Sequence, residues 1–109
     1  MKPAPSILLV DDNPDDRLLV RRLVARELPQ CRFQEVVDPA SFERALHGGD
    51  FDLVITDYQL RWIDGIEITR AIRRRLPYVP VVMFTDTGSE QIAVEAMKAG
   101  LADYVLKSP

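Results

Sequence analysis

Three short apolar runs constrain the fold of this chain more than any other feature. They are Ile7–Val10, Leu53–Thr56 and Val81–Thr85. Their apolar residues are nearly continuous and do not alternate with polar ones, which is typical of strands buried on both faces of a parallel sheet. Two further segments, Phe33–Val37 and Tyr104–Leu106, also have the composition of strands. We therefore predict five strands.

The spacing of the predicted strands leaves room for a helix between each pair. The strands start 26, 20, 28 and 23 residues apart. We expect the first helix to begin after the N-cap residue Asn13, and the third after a capping box formed by Asp64 and Glu67. Shorter helices are expected at about residues 40–46 and 89–99, each ending at glycine. The apolar residues expected to be buried are Leu19, Val20, Leu23 and Val24 in the first helix and Ile68 and Ile72 in the third.

This alternation of strands and helices predicts an α/β fold, a doubly wound five-stranded parallel sheet in the order 2-1-3-4-5. A chain of 109 residues, of which 47% are apolar, has the size and composition of one domain with a packed core. No helix follows the fifth strand in this sequence, so we expect a single domain, residues 1–109, truncated before a fifth helix. One face of the sheet would then be partly uncovered, which favours a homodimer or other self-association.

Charge and hydropathy exclude several classes of function. The net charge is −3, which argues against direct nucleic acid binding. No apolar stretch approaches the roughly 18 residues of a membrane helix, and the first six residues lack the apolar segment of a secretory signal. We therefore expect a cytoplasmic protein with no membrane insertion. Cys31 is the single cysteine, which excludes an internal disulfide.

Chemically reactive side chains collect where the predicted strands end. Asp11 and Asp12 follow the first strand, Asp57 follows the third, Thr85 ends the fourth and Lys107 follows the fifth. In an open α/β sheet this edge is where ligands bind. Three neighbouring carboxylates favour a bound cation, and oxygen ligands favour Mg²⁺. With a lysine and a hydroxyl to hold phosphoryl oxygens, the set predicts a phosphoryl-transfer site in which Asp57 is the nucleophile.

These residues together resemble the receiver domain of two-component response regulators. The separations of 45 residues from Asp12 to Asp57, 28 from Asp57 to Thr85 and 22 from Thr85 to Lys107 are similar to those of that family. The resemblance covers essentially the whole chain. It implies that Asp57 is phosphorylated by the phosphohistidine of a histidine kinase or phosphotransfer protein, or by a small phosphodonor.

The resemblance also implies a ligand set, a switch and a role in signalling. Mg²⁺ would be bound by Asp12, Asp57 and the backbone carbonyl of Gln59, with Asp11 acting through water. Thr85 and Tyr104 resemble the switch pair of the family, whose joint movement reshapes the surface around the fourth helix and fifth strand. The domain would be a phosphoacceptor in a phosphorelay and not an enzyme, and residues 88–97 resemble receivers attached to sensor kinases.

Some positions depart from the pattern of the family and leave an alternative open. Asp86 follows Thr85 where a small residue is usual, and its charge would repel an incoming phosphoryl group. Arg61 and Trp62 stand where Pro-Gly is common. The alternative is a pseudo-receiver that is never phosphorylated and serves as an interaction module. A haloacid-dehalogenase phosphatase would need Asp-x-Asp after the first strand, and a flavodoxin-like protein would need a phosphate loop there, so neither fits.

Overall fold

The computed structural model describes residues 4–107 and contains five strands and four helices in strict alternation. The predicted strands are confirmed, with boundaries that differ by no more than one residue. The elements are β1 (Ser6–Val10), α1 (Pro14–Glu27), β2 (Arg32–Val36), α2 (Pro39–Gly48), β3 (Leu53–Thr56), α3 (Gly65–Arg75), β4 (Val81–Thr85), α4 (Glu90–Lys98) and β5 (Asp103–Leu106).

The strands form one parallel sheet in the order β2-β1-β3-β4-β5, which confirms the predicted order. The register aligns the carboxyl ends of neighbouring strands. Val10 of β1 pairs with Thr56 of β3, and Thr85 of β4 pairs with Leu106 of β5. The residues that follow these strands therefore emerge together at one edge of the sheet.

Successive side chains of the apolar strands point to opposite faces of the sheet, which explains why the runs are continuous. Leu8 and Val10 of β1 belong to a core that includes residues of α2, α3 and α4. Ile7 and Leu9 belong to a smaller core that includes Val20 of α1. The predicted burial of Ile68 and Ile72 is confirmed, and both lie in the larger core.

The face covered by α1 is less completely buried than the sequence predicts. Val20 is buried, but Leu19 and Leu23 each remain 39% exposed, so the prediction of a four-residue buried stripe is wrong for these leucines. The reason is that α1 is the one helix that the structure describes on this face of the sheet. No second helix within residues 4–107 packs against the sides of α1, so its outer leucines stay partly exposed to solvent. An apolar groove of about 110 Å³ lies beside the helix, lined by Val20, Leu23, Val24, Ile55, Val82 and Phe84.

The predicted caps of α1 and α3 are present, with one difference. The Asn13 side chain accepts hydrogen bonds from the backbone N–H groups of the first turn of α1. The Asp64 side chain accepts the N–H of Glu67 at 3.0 Å. The Glu67 carboxylate, however, pairs with Arg70 and does not accept the backbone N–H of Asp64, so only the Asp64 half of the predicted capping box is formed. No helix within residues 4–107 is both long and apolar enough to cross a bilayer.

Candidate functional site

Backbone hydrogen bonds fix the two central carboxylates at the edge of the sheet. The N–H of Asp57 donates to the carbonyl oxygen of Val10 at 3.1 Å, and the N–H of Asp11 donates to that of Val36 at the same distance. These bonds extend the parallel pairing by one residue beyond the strands. Asp11 and Asp57 therefore project from a rigid support, as the sequence predicts.

Lys107 connects the carboxyl ends of four neighbouring strands, β1, β3, β4 and β5. Its backbone N–H donates to the carbonyl oxygen of Thr85 at 2.9 Å, which continues the pairing of β5 with β4. Its ammonium nitrogen lies 2.8 Å from Asp57 Oδ2, 2.9 Å from Asp16 Oδ2 and 3.4 Å from Asp11 Oδ2. Burial alone would lower the pKa of Lys107, but hydrogen bonds to Asp57 and Asp16 raise it above the usual lysine value. The ammonium is therefore a fixed positive charge at neutral pH.

The structure brings together Asp11, Asp16 and Asp57, whose nearest carboxylate oxygens all lie within 4.8 Å of one another. Asp11 is only 2% exposed. Burial raises the pKa of Asp11 above its usual range, although the N–H of Asn13 and the charge of Lys107 act in the opposite direction. Grouped carboxylate oxygens are the donors that Mg²⁺ prefers, so the residues present fit this cation.

Asp16 is a member of this cluster that the sequence analysis missed. As an acid in the first turn of a helix it looked like an ordinary partner of the helix dipole. No local signal separates Asp16 from Asp15 in the same turn, because the orientation of α1 decides which of the two carboxylates reaches the cluster.

Asp12 and Gln59, the other predicted ligands, lie beside the cluster. The Asp12 carboxylate accepts the backbone N–H of Arg61, which connects the loop after β1 to the loop after β3. Gln59 forms an isolated bridge with Asp64 at the start of α3. The open pocket between these loops has a volume of about 200 Å³. It is lined by Asp11, Asp12, Asn13, Asp16, Asp57, Gln59, Thr85, Asp86 and Thr87.

Thr85 and Tyr104 are connected through Thr87, a residue that the sequence analysis did not single out. Thr85 is buried, and its hydroxyl oxygen accepts the N–H of Thr87 at 3.2 Å. The hydroxyl group of Tyr104 donates to the carbonyl oxygen of Thr87. Burial raises the pKa of the Tyr104 phenol, which is therefore protonated and able to donate at neutral pH. The short segment after β4 is held by both side chains of the predicted switch pair.

Of the unusual residues noted in the sequence, Asp86 lines the pocket and Trp62 packs against the core. Asp86 is exposed and faces the pocket, where its charge adds to that of the carboxylate cluster. Trp62 is half-buried, and its ring packs against Phe42 of α2 with centroids 5.8 Å apart. The loop after β3 is therefore anchored to α2 by an aromatic contact.

Comparisons with known proteins give a consistent result. Residues 7–109 match the family model of the response regulator receiver domain. The chemotaxis protein CheY of Pseudomonas aeruginosa is 35% identical over 103 residues, which cover 93% of this chain and 82% of CheY. The cyclic di-GMP phosphodiesterase response regulator RpfG of Xanthomonas campestris is 29% identical over 94% of this chain but only 28% of its own length.

Solved structures with the same fold include two response regulators. A two-component response regulator of the LuxR family from Aurantimonas has a TM-score of 0.84 and 35% identity, and the match covers 94% of this chain and 74% of that one. The response regulator TrrA of Thermotoga maritima, solved in complex with Mg²⁺ and BeF, has a TM-score of 0.80 and 25% identity over 95% of this chain and 87% of its own. The predicted resemblance is confirmed, and this chain belongs to the response regulator receiver domain family of two-component systems.

Proposed function

We propose that this domain accepts a phosphoryl group on Asp57 from the phosphohistidine of a histidine kinase or phosphotransfer protein, and that it then changes conformation around Thr85 and Tyr104. The observation that carries the proposal is the contact of 2.8 Å between Asp57 and the Lys107 ammonium, at the edge of an open pocket. The carboxylate is accessible from that pocket, and a fixed positive charge stands beside it.

The proposed transfer uses groups that the fold holds in place. A carboxylate oxygen of Asp57 attacks phosphorus while the phosphorus–nitrogen bond of the donor breaks. Because the donor ring carries a proton on its other nitrogen, it leaves as neutral imidazole. Lys107 donates to the transferred group, and the hydroxyl of Thr85 supplies a second donor.

Mg²⁺ would be held by Asp12, Asp57 and the backbone carbonyl of Gln59, with Asp11 acting through water, and would neutralise charge on the phosphoryl oxygens. The donor set supports this assignment because every member offers oxygen. The carboxylates remain close together without repelling one another strongly because Lys107 lies among them.

The proposal is tested by incubating the chain with Mg²⁺ and acetyl phosphate and measuring its intact mass. We expect one added phosphate that requires Mg²⁺ and disappears in Asp57→Asn. Asp50→Asn is the matched control, because it removes one exposed carboxylate in the loop before β3 and should still be phosphorylated. Phosphate on Asp57→Asn would place the acceptor elsewhere and contradict the proposal.

The position of Asp86 favours a second candidate, a pseudo-receiver that acts only as an interaction module. Asp86 lines the same pocket as Asp57 and Thr85, so its charge lies near the place where a phosphoryl group would bind. A folded chain that binds Mg²⁺ but takes no phosphate would support this candidate. If Asp86→Ala then restores phosphorylation, electrostatic repulsion at this position is the reason for the block.

A further inference from the structure

The third carboxylate around Lys107 comes from Asp16, a residue outside the ligand set proposed above. Asp16 Oδ2 lies 2.9 Å from the ammonium nitrogen, nearly as close as Asp57 Oδ2 at 2.8 Å. The side chain of Lys107 is 3% exposed and that of Asp16 is 27% exposed. Asp16 is thus the water-facing partner of a buried ammonium group.

The local fold holds Asp16 in this position. Pro14 begins α1, and the side chain of Asn13 accepts the backbone N–H groups of Asp15 and Asp16 at 2.9 and 3.3 Å. The carboxylate of Asp16 is therefore presented from an ordered first turn. Asp15, its neighbour in the same turn, is exposed and has the same charge.

Three carboxylates crowd the ammonium group of Lys107 and compete with any incoming group. An ammonium group has three N–H donors, and three carboxylates surround it. A phosphoryl oxygen on Asp57 binds Lys107 more strongly if one existing contact is given up. Asp16 is the partner that water can solvate most readily once released, because it is far more exposed than Asp11.

We propose, on the basis of the function proposed above, that Asp16 is a positioning residue that competes with the phosphoryl group for Lys107. In the unphosphorylated domain it holds the ammonium towards α1. On phosphorylation, a phosphoryl oxygen replaces the Asp16 carboxylate beside the Lys107 ammonium group. The negative charge of Asp16 thereby favours binding of the cation and opposes retention of the phosphoryl group.

Two binding measurements on Asp16→Asn should move in opposite directions. With Mg²⁺ alone, the dissociation constant should rise by about threefold, because one nearby negative charge is lost. With Mg²⁺ at saturation, beryllofluoride should bind about fivefold more tightly, because Lys107 is no longer shared with a charged competitor. A general loss of structure would weaken both, so the opposite signs identify the positioning role.

The control variant is Asp15→Asn, which makes the same change in net charge in the same helical turn without touching Lys107. It should alter both constants by less than twofold, and Asp16→Glu should retain most of the wild-type behaviour. Equal effects of Asp15→Asn and Asp16→Asn, or weaker beryllofluoride binding by Asp16→Asn, would overturn the proposal.

A further measurement separates this proposal from the proposed function. The ¹⁵N-labelled ammonium group of Lys107 should give a protected NMR signal in the wild type without Mg²⁺, and this signal should broaden or disappear in Asp16→Asn. If the wild type binds no beryllofluoride, the proposed phosphoacceptor function fails. The competition proposed for Asp16 then fails as well. If the wild type binds beryllofluoride but the Lys107 NMR signal is unchanged in Asp16→Asn, only the proposal that Asp16 positions Lys107 is refuted.

Discussion

Gly65, the first residue of α3, packs directly against the backbone of Asp57. A Cβ atom at Gly65 would overlap the carbonyl oxygen of Asp57 and would lie 2.8 Å from Met83 Cε in the core. The N–H of Gly65 also donates to the carbonyl oxygen of Tyr58 at 2.7 Å. The start of α3 is thus fitted against the residue that carries the candidate chemistry.

Gly65→Ala should therefore lower the free energy of unfolding by about 2 kcal/mol, because backbone on one side and core on the other leave no room for a methyl group. Gly48→Ala is the control: a Cβ there meets nothing within 4 Å, at the last residue of α2. It should stabilise the protein by about 0.5 kcal/mol, since alanine loses less backbone entropy in a helix. Urea denaturation tests whether Gly65→Ala is destabilised while Gly48→Ala is not. Equal unfolding midpoints for the two variants would contradict this prediction.

The capping box of α2 should make stability depend on acidic pH. The Asp38 carboxylate accepts the backbone N–H of Ser41 at 2.8 Å, while the Ser41 hydroxyl oxygen accepts the N–H of Asp38. The backbone N–H of Ser41 and then its hydroxyl hold the pKa of Asp38 below its usual value of 3.8. Ionised Asp38 therefore contributes stability above that value, and the contribution is lost as pH falls through the lower folded-state pKa.

The corresponding variant is Asp38→Ala, with Asp50→Asn as an exposed control. Asp38→Ala should have a lower urea midpoint than the wild type at neutral pH, and the difference should narrow as the pH falls below 3.8. A difference that stays constant over this range would show that the charge of Asp38 does not matter for the cap.

Trp62 should be tolerant of one aromatic substitution and sensitive to truncation. Its ring packs on Phe42 at an interplanar angle of 49°, and its indole N–H is buried with no hydrogen-bond partner among residues 4–107. Trp62→Phe keeps an aromatic ring and removes the unpaired donor, so the free energy of unfolding should change by less than about 1 kcal/mol. Trp62→Ala should cost about 3 kcal/mol. Thermal unfolding of the two variants tests this, and similar losses in both would contradict it.

Tyr104→Phe should loosen the segment after β4 without disturbing the sheet. The variant loses the hydrogen bond to the carbonyl oxygen of Thr87 and should be less stable by about 1 kcal/mol. Faster amide hydrogen exchange is expected at residues 86–88. Tyr78→Phe is the matched control, because Tyr78 is 78% exposed and its hydroxyl is solvated. If Tyr78→Phe had the same effect, the contact with Thr87 would carry no stability.

The parallel sheet was predictable because β1, β3 and β4 have continuous apolar sequences, a pattern that few other structures produce. The parallel sheet in turn predicted that Asp11, Asp57 and Lys107 lie close together, because parallel strands bring their carboxyl ends to one edge of the sheet. These predictions depend on topology alone, which is why they did not need side-chain geometry.

Other features depended on packing that no local pattern contains. Asp16 and Asp15 have the same charge in the same helical turn, and only the orientation of α1 over the sheet brings Asp16 to Lys107. Similarly, Leu23 has the spacing of a buried residue, but its exposure is set by how much of the sheet lies beneath it. The role of Thr87 depends on a backbone carbonyl, which the identity of its side chain does not reveal.

Lys107 follows β5, an edge strand bonded to β4 on its inner side. Three of the four residues of β5 are exposed, so few buried side chains fasten this strand to the rest of the molecule. Edge elements of this kind open locally at a free energy well below that of global unfolding. Each such fraying event would withdraw the counter-ion from Asp11, Asp16 and Asp57 and leave three carboxylates facing one another. How long Lys107 stays beside these carboxylates thus depends on how long β5 stays paired with β4.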